Sequence, residues 1–239
     1  MLVRNNEYAC PMVNGIHSQS MPSSTVENYI KAIFAEQQDL DGLPVTMGRI
    51  ADCMLVVPGT ATTMVKALAE AGWVDYEPRK GVRLTPAGEK LALDVLRRHR
   101  LIELFLQKIL GMDWSEIHQE AEELEHAISP RVLAKIDQML GHPRFDPHGD
   151  PIPTAGGDYP TQALKSLNSC ALKRWVTIAR IKDQEPSFLQ YAESRGLLPG
   201  ATVRVLERDL LAESVSIEIK NGEKLALGIA VARKIGVDA

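Results

Sequence analysis

The 239-residue sequence predicts a mainly α-helical protein with a small β component: a winged helix-turn-helix, a helical unit able to dimerise, and a C-terminal β-barrel. Three observations predict it. Apolar residues recur at helical spacing from Ser23 to about Gly141, a short alternating hairpin interrupts them around Pro78, and from about Leu172 the apolar period falls to two.

The segment SSTVENYIKAIFAEQ offers Ser23 or Ser24 as N-cap, with Glu27 three or four residues on, and carries Tyr29, Ile30, Ile33 and Phe34 on one helical face. TMGRIADCMLV places Met47, Ile50, Ala51 and Met54 together, and after the break at Val57-Pro58-Gly59 a second short helix is expected from Thr60 to Gly72. The next run turns between Pro78 and Gly81 as a hairpin, and Pro86 restarts a helix that continues through Leu106 and Ile109 to Gly111. A hairpin after two helices around a tight turn is a wing. SEIHQEAEELEHAI and PRVLAKIDQMLG supply two further helices, whose surplus apolar face suits a second copy of the chain. HPRFDPHGDPIPTAGGDYPTQA, from His142 to Ala163, is rich in Pro and Gly and reads as irregular. WVTIARI, ATVRVLERD, VSIEIKNGEKLALG and AVARKIGV then read as strands, with Asn221-Gly222 and Leu198-Pro199-Gly200 as turns and PSFLQYAESRG as one intervening helix. The expected division is an arm at 1–22, a winged domain at 23–92, a helical domain at 93–153, a linker at 154–171 and a barrel at 172–239.

Cys10, Cys53 and Cys170 are odd in number and lack CxxC spacing, which argues against a disulfide framework or a thiolate zinc site. No stretch has the apolar length of a membrane span, and the first residues lack the apolar core of a secretory signal, so a cytoplasmic protein is expected. The net charge of −4 is unfavourable for nucleic acid until a cation neutralises some carboxylates.

Carboxylates and imidazoles cluster in the middle of the chain. His99-x3-Glu103 falls on one helix and His118-x3-Glu122-x2-Glu125-His126 on the next; residues three or four apart share a face, so each helix presents its ligands together. Imidazoles and carboxylates without thiolate suit Mn(II) or Fe(II), and also accept Co, Ni or Zn. A solvated acidic helix face is the plain alternative.

At these residues the chain resembles the diphtheria toxin repressor family, which includes iron-dependent regulators and manganese transport regulators. The resemblance rests on ENYIKAI, GVRLTPAGEKLA, RRHRLIELFL, HQEAEELEH and HPRFDPHGDPIP, covers about Ser24 to Pro153, and continues more weakly from Trp175. It implies a winged helix-turn-helix, a helical dimerisation and metal domain, and an SH3-like domain similar to one found in ferrous iron transport proteins. Carried over residue by residue, Glu122, Glu125, His126 and Asn28 match the primary metal site; His99, Glu103 and His118 match the ancillary site, with Glu185, or next Gln184, completing it. Iron-type members carry Cys at the Glu122 position, so the carboxylate there favours Mn(II) over Fe(II), with Zn, Co, Ni and Cd as ions taken in vitro. Asn28 replaces a Met or Asp, and Lys31 replaces a Glu that some manganese-type members use, which argues against a closely spaced two-ion site.

The expected partners are double-stranded DNA with an inverted-repeat operator and a second copy of the chain, with no membrane and no small organic substrate. Thr60, Thr62, Thr63 and Lys66 are the candidate recognition-helix contacts, and Arg49, Arg79, Lys80 and Arg83 the phosphate anchors. The expected function is a metal-activated repressor of manganese or iron homeostasis genes. A winged-helix regulator that is metal-independent or answers to a small molecule is the first alternative. A metal-dependent hydrolase is the second, disfavoured because HExxH, a Gly-rich phosphate loop and a set nucleophile are all missing.

Overall fold

A computed structural model describes residues 22–160, 163–220 and 222–238. The expected N-terminal arm, apart from Pro22, and Asn221 of the predicted turn lie outside the described residues. Among those described, no helix is long and apolar enough to cross a membrane.

Helix α1 (Ser24–Asp39) starts where the Ser23 hydroxyl accepts the Val26 N–H, and it buries Tyr29, Ile30, Ile33 and Phe34. Glu27 does not cap it: its carboxylate is drawn across to another helix. Helix α2 (Met47–Cys53) is capped by Thr46. Helix α3 spans Pro58–Glu70, two residues ahead of the expected start at Thr60, because the fixed φ of Pro58 fits the first helical position. Strands β1 (Val74–Glu77) and β2 (Gly81–Leu84) form the wing, and Val45 pairs with Val82 along its inner edge. A Cβ on Gly81 would sit 2.6 Å from the Val45 carbonyl oxygen, so only glycine permits that approach. The winged core joins Ile30, Ile33, Ile50, Val65, Leu68, Val82 and Leu93.

Helix α4 (Pro86–Lys108) is the spine of the molecule. Its first half packs into the winged core through Ala92, Leu93 and Leu96, and its second half turns Ile102 and Leu106 towards the C-terminal domain. Helix α5 (Ile117–Leu124) lies against α4, and helix α6 (Pro130–Met139) buries only Ile136, leaving Val132 and Met139 exposed.

The sheet of the C-terminal domain has six strands: β3 (Lys165–Ser166), β4 (Trp175–Ile181), β5 (Thr202–Asp209), β6 (Ser214–Ile219), β7 (Lys224–Gly228) and β8 (Ile235–Asp238), in the order β3-β8-β4-β5-β6-β7, all antiparallel. Helix α7 (Pro186–Glu193) fills the gap between β4 and β5. Two details differ from the sequence reading. β3 falls in the stretch expected to be linker, and AVARKIGV is not one strand, since Ile229–Arg233 forms helix α8 and only Ile235–Asp238 pairs. The apolar face of the sheet is continuous with Ile102, Leu106, Trp114, Ile117 and Ala121, so this domain is packed onto the helical unit as one core.

The Pro- and Gly-rich segment is irregular, as expected, but it is not a solvated tether. Ile152 is buried with Leu101, Leu104 and Ile136, and the Ile181 N–H donates to the His148 carbonyl at 2.8 Å. Gly149, at φ +87°, passes so close to Ala179 that a Cβ would lie 1.9 Å from its carbonyl oxygen.

Candidate metal centre and nucleic-acid interface

Helices α4 and α5 bring most of the expected ligands together. The i, i+4 pair His99 and Glu103 faces inward from α4, His118 and Glu122 face it from α5, and Glu125 and His126 follow at the end of α5. Glu103 and Glu125 are 0% exposed. A fully buried carboxylate is tolerated only when paired, and both are. His99 bridges them: its Nδ1 lies 2.7 Å from Glu125 Oε2, and its Nε2 lies 2.9 Å from Glu103 Oε1. Burial acts to lower the His99 pKa, but the Glu103 charge and the hydrogen bonds to Glu103 and Glu125 outweigh it and push it up to about 9. Burial acts upward on Glu103, yet the charge of His99, the hydrogen bonds from His118 and His99 and the nearby His148 ring hold it well below the usual carboxylate range. His118 Nδ1 completes this group at 3.1 Å from Glu103 Oε1. His99, His118 and Glu122 each offer a ligand atom within 4.8 Å of the others.

Helix α1 reaches the same cluster. Lys31 Nζ stands 2.6 Å from Glu122 Oε1 and 2.7 Å from Glu125 Oε1. Glu27, 3% exposed, links Arg98 at 2.5 Å to His126 Nδ1 at 2.6 Å. A carboxylate facing Nδ1 requires that nitrogen to carry the proton, so in neutral His126 the lone pair sits on Nε2. That Nε2 is buried without a hydrogen-bond partner, 3.5 Å from Glu125 Oε1; the Oδ1 of Asn28 on α1 is likewise buried without a partner. An orphaned imidazole nitrogen beside the Glu125 carboxylate, in an oxygen-rich set, fits a hard divalent cation; a buried acceptor left without a donor or a cation is costly.

A second group lies on the far side of Glu103. Glu103, Asp146 and His148 are buried, with ligand atoms within 4.8 Å of one another. His148 Nδ1 is 3.7 Å from Glu103 Oε2, and the His148 ring stacks on Trp114. Asp146 Oδ1 accepts the N–H groups of His148 and Asp150, whereas its Oδ2, Glu103 Oε2 and both ring nitrogens of His148 have no hydrogen-bond partner. Burial, reinforced by Asp150 and Glu103, pushes the Asp146 pKa up to about 7. Sequence reasoning missed this group because the Pro and Gly content of the segment reads as linker; the signal was the Asp146-x-His148 spacing. Sequence reasoning also passed over Glu27, whose place beside a serine suggests a cap. Glu185 and Gln184 line a cavity of about 640 Å3 together with His118, but Glu185 is exposed at the N-cap of α7 and Gln184 donates to Asp150.

On the winged head, Thr60, Lys66 and Arg79 are exposed and, among the described residues, their side chains form no hydrogen bond or ion pair. The hydroxyls of Thr62 and Thr63 donate to the Pro58 and Gly59 carbonyls at 2.8 and 3.1 Å. Arg49 pairs with Glu36, Lys80 pairs with Glu77, and Arg83 donates to the Gly42 carbonyl. Exposed pairs of this kind contribute little to stability and exchange readily for a phosphate.

The same three-part order is found in known proteins. Residues 21–82 match the family described as iron dependent repressor, N-terminal DNA binding domain; residues 85–154 match iron dependent repressor, metal binding and dimerisation domain; residues 165–239 match the FeoA domain. A solved structure of a manganese-dependent transcriptional repressor in complex with manganese superposes with a TM-score of 0.82 at 40% identity, covering 90% of this chain and 99% of that one. The chain belongs to the diphtheria toxin repressor family of metal-dependent, DNA-binding transcriptional repressors. Within that family it is 32% identical to the diphtheria toxin repressor of Corynebacterium glutamicum over 150 residues, which are 60% of this chain and span 65% of that protein. It is 26% identical to the iron-dependent repressor IdeR of Mycobacterium leprae over 226 residues, 90% of this chain and 96% of that one.

Proposed function

We propose that the chain is a homodimeric repressor that a divalent cation switches to its DNA-binding form, with Mn(II) as the preferred ion and Fe(II) next. The observation that carries this reading is the clasp between α1 of the winged head and the end of α5. There Lys31 pairs with Glu122 and Glu125 and Glu27 with His126, whose buried Nε2 has no hydrogen-bond partner and lies 3.5 Å from Glu125 Oε1; a single cation taken by Glu122, Glu125, His126 and Asn28 would join head to helical unit. Three oxygen donors and one imidazole suit Mn(II) or Fe(II), and the absence of thiolate from this set leans towards manganese.

A second position is offered by Glu103 with Asp146 and His148 on one side or with His99 and His118 on the other. Glu103 is shared between these sets, Oε1 serving one and Oε2 the other. The first set pins the Pro- and Gly-rich segment against α4 and the C-terminal sheet. In the second, Glu185 lies across the cavity from His118 and ligates after a turn of its side chain.

A cation at the clasp fixes the angle between α1 and the helical unit, and through it the separation of two winged heads in a dimer. Without it, the heads sample spacings that do not match successive major grooves, and affinity falls by population shift. The dimer face is formed by α6 and the end of α4, where Ile109, Leu110, Val132 and Met139 are exposed. Thr60, Thr62, Thr63 and Lys66 on α3 face the groove, and Arg49, Arg79, Lys80 and Arg83 hold phosphates of an inverted-repeat operator. The test is fluorescence anisotropy on one operator with Mn(II), Fe(II), Zn(II) and chelator: Mn(II) and Fe(II) are expected to support binding and chelator to abolish it. Equal affinity in all four conditions contradicts the reading.

A further inference from the structure

The outward face of the C-terminal sheet carries charges and an aromatic ring that neither the metal centre nor the winged head uses. Residues directly opposite on paired strands share a face. Trp175 on β4 stands opposite Arg204 on β5, Arg204 opposite Glu218 on β6, and Glu218 opposite Lys224 on β7, so these four form one row across the sheet. Their strand neighbours Val176, Val203 and Ile217 are buried in the core, which turns the row to the outside. Within it, the Arg204 guanidinium lies 4.6 Å from the centre of the Trp175 ring and pairs with Glu218 at 2.7 Å.

The chain leading into β4 extends the row. Leu172 bridges to Val205, and the Lys173 N–H donates to the Val205 carbonyl at 2.7 Å, so residues 171–175 run beside β5, all of them exposed. Among the described residues, the side chains of Lys173 and Arg174 form no hydrogen bond or ion pair. The row and its extension thus set Lys173, Arg174, Arg204 and Lys224 against one carboxylate, Glu218, in a chain whose net charge is −4. Trp175 is 41% exposed and lies outside the core, so folding gains little from an indole there. A ring among cations suits a ligand that pairs phosphates with unstacked bases. A duplex would meet the cations but keeps its base faces inside the stack. An anionic membrane rewards a broad apolar face, whereas here Leu172 is the one aliphatic side chain beside the ring.

We propose that this row is a second nucleic-acid surface, one that takes a single strand: Trp175 stacks on a base, and Lys173, Arg174 and Lys224 hold phosphates. It needs no metal ion and lies in a different domain from the winged head. The full chain, in chelator, is titrated into labelled oligothymidine and oligouridine of about 20 nucleotides, and anisotropy on the two strands tells a DNA ligand from an RNA ligand. Trp175→Ala should weaken binding about fivefold to a hundredfold, the effect of removing one base–aromatic stack, and Trp175→Phe should keep most of it. The variant carrying Lys173→Ala and Arg174→Ala should lower the slope of log affinity against log salt by about 1.4, the value for two phosphates on a single strand. All three variants should melt with the wild type and keep its Mn(II) response on operator duplex, whereas Lys66→Ala on the winged head should leave strand binding alone. A wild type that binds neither strand, or a folded Trp175→Ala protein within twofold of wild type, overturns the inference. So does strand binding that Lys66→Ala abolishes, or binding to phosphatidylserine vesicles in place of either strand.

Discussion

Removing the Glu27 carboxylate tests how the primary site is held. Glu27 is buried, ion-paired to Arg98 at 2.5 Å and hydrogen-bonded to His126 Nδ1 at 2.6 Å. Glu27→Ala leaves a largely buried guanidinium with no carboxylate, held by the Glu125 carbonyl 3.0 Å from its Nη1 and the Asp94 carbonyl 3.4 Å from its Nε, and a histidine free to turn. Breaking a buried pair from one side costs about 3–5 kcal/mol, so the metal-free protein should lose that much in urea unfolding. Releasing the group that orients a ligand histidine weakens metal binding about 10- to 100-fold, or about 1.4–2.7 kcal/mol, which Mn(II) titration calorimetry resolves. Glu27→Gln keeps the shape and an acceptor for His126 but loses the charge; it should fall between the two. The capping role suggested by sequence is worth about 1 kcal/mol and would leave Mn(II) affinity alone. A folded Glu27→Ala protein that binds Mn(II) within twofold of wild type refutes the positioning role.

Lys31 competes with the cation for Glu122 and Glu125, so Lys31→Met should destabilise the metal-free protein while tightening Mn(II) binding about tenfold; calorimetry showing weaker binding contradicts the competition. His99 holds its proton up to about pH 9, so if it ligates, Mn(II) affinity at its site should rise up to about tenfold per pH unit towards pH 9 and then level, with about one proton released per ion when measured in two buffers of different ionisation enthalpy. The raised folded pKa of His99 also means that its contribution to metal-free stability is complete below about pH 6.5 and is lost as pH rises through about 9. Asp146 shows the opposite economy for an acid: with its folded pKa near 7 against 3.8, metal-free stability should fall as pH rises from about 4 to 7, and Asp146→Asn should flatten that limb of a thermal-melt series. Gly149→Ala places a Cβ against the Ala179 carbonyl at a positive φ; it should cost more than about 2 kcal/mol and lower the number of Mn(II) ions bound per chain, whereas unchanged stoichiometry would detach the second group from the segment's path.

Much of the architecture was legible because periodicity records which face is buried. Tyr29, Ile30, Ile33 and Phe34 predicted α1 and its inward face, Thr85-Pro86 predicted the start of α4, and both hold. What escaped has physical reasons. Helix α8 was hidden because Ile229–Arg233 alternates as well as a strand does, and only the six-strand pairing shows where Ile235 takes over. The His/Glu spacing on α4 and α5 brought most of the expected ligands to one place, since i, i+4 geometry is local. The partners that span long separations were not legible: Glu27 with His126, Lys31 with Glu122 and Glu125, and Asp146 and His148 with Glu103 are set by packing between elements. Pro and Gly in the HPRFDPHGDPIP segment declared an irregular backbone but said nothing about its burial.

The central claim is that a cation clasped between α1 and the end of α5 sets the spacing of two winged heads. Its most direct test is operator affinity of the wild-type chain and of Glu122→Ala, each with Mn(II) and with chelator, by fluorescence anisotropy. The account predicts that Mn(II) tightens wild-type binding by at least about a hundredfold, within the range of measured coupling energies, and leaves Glu122→Ala near its chelator value. Equal wild-type affinity with and without Mn(II), or a full Mn(II) response in Glu122→Ala, would contradict it.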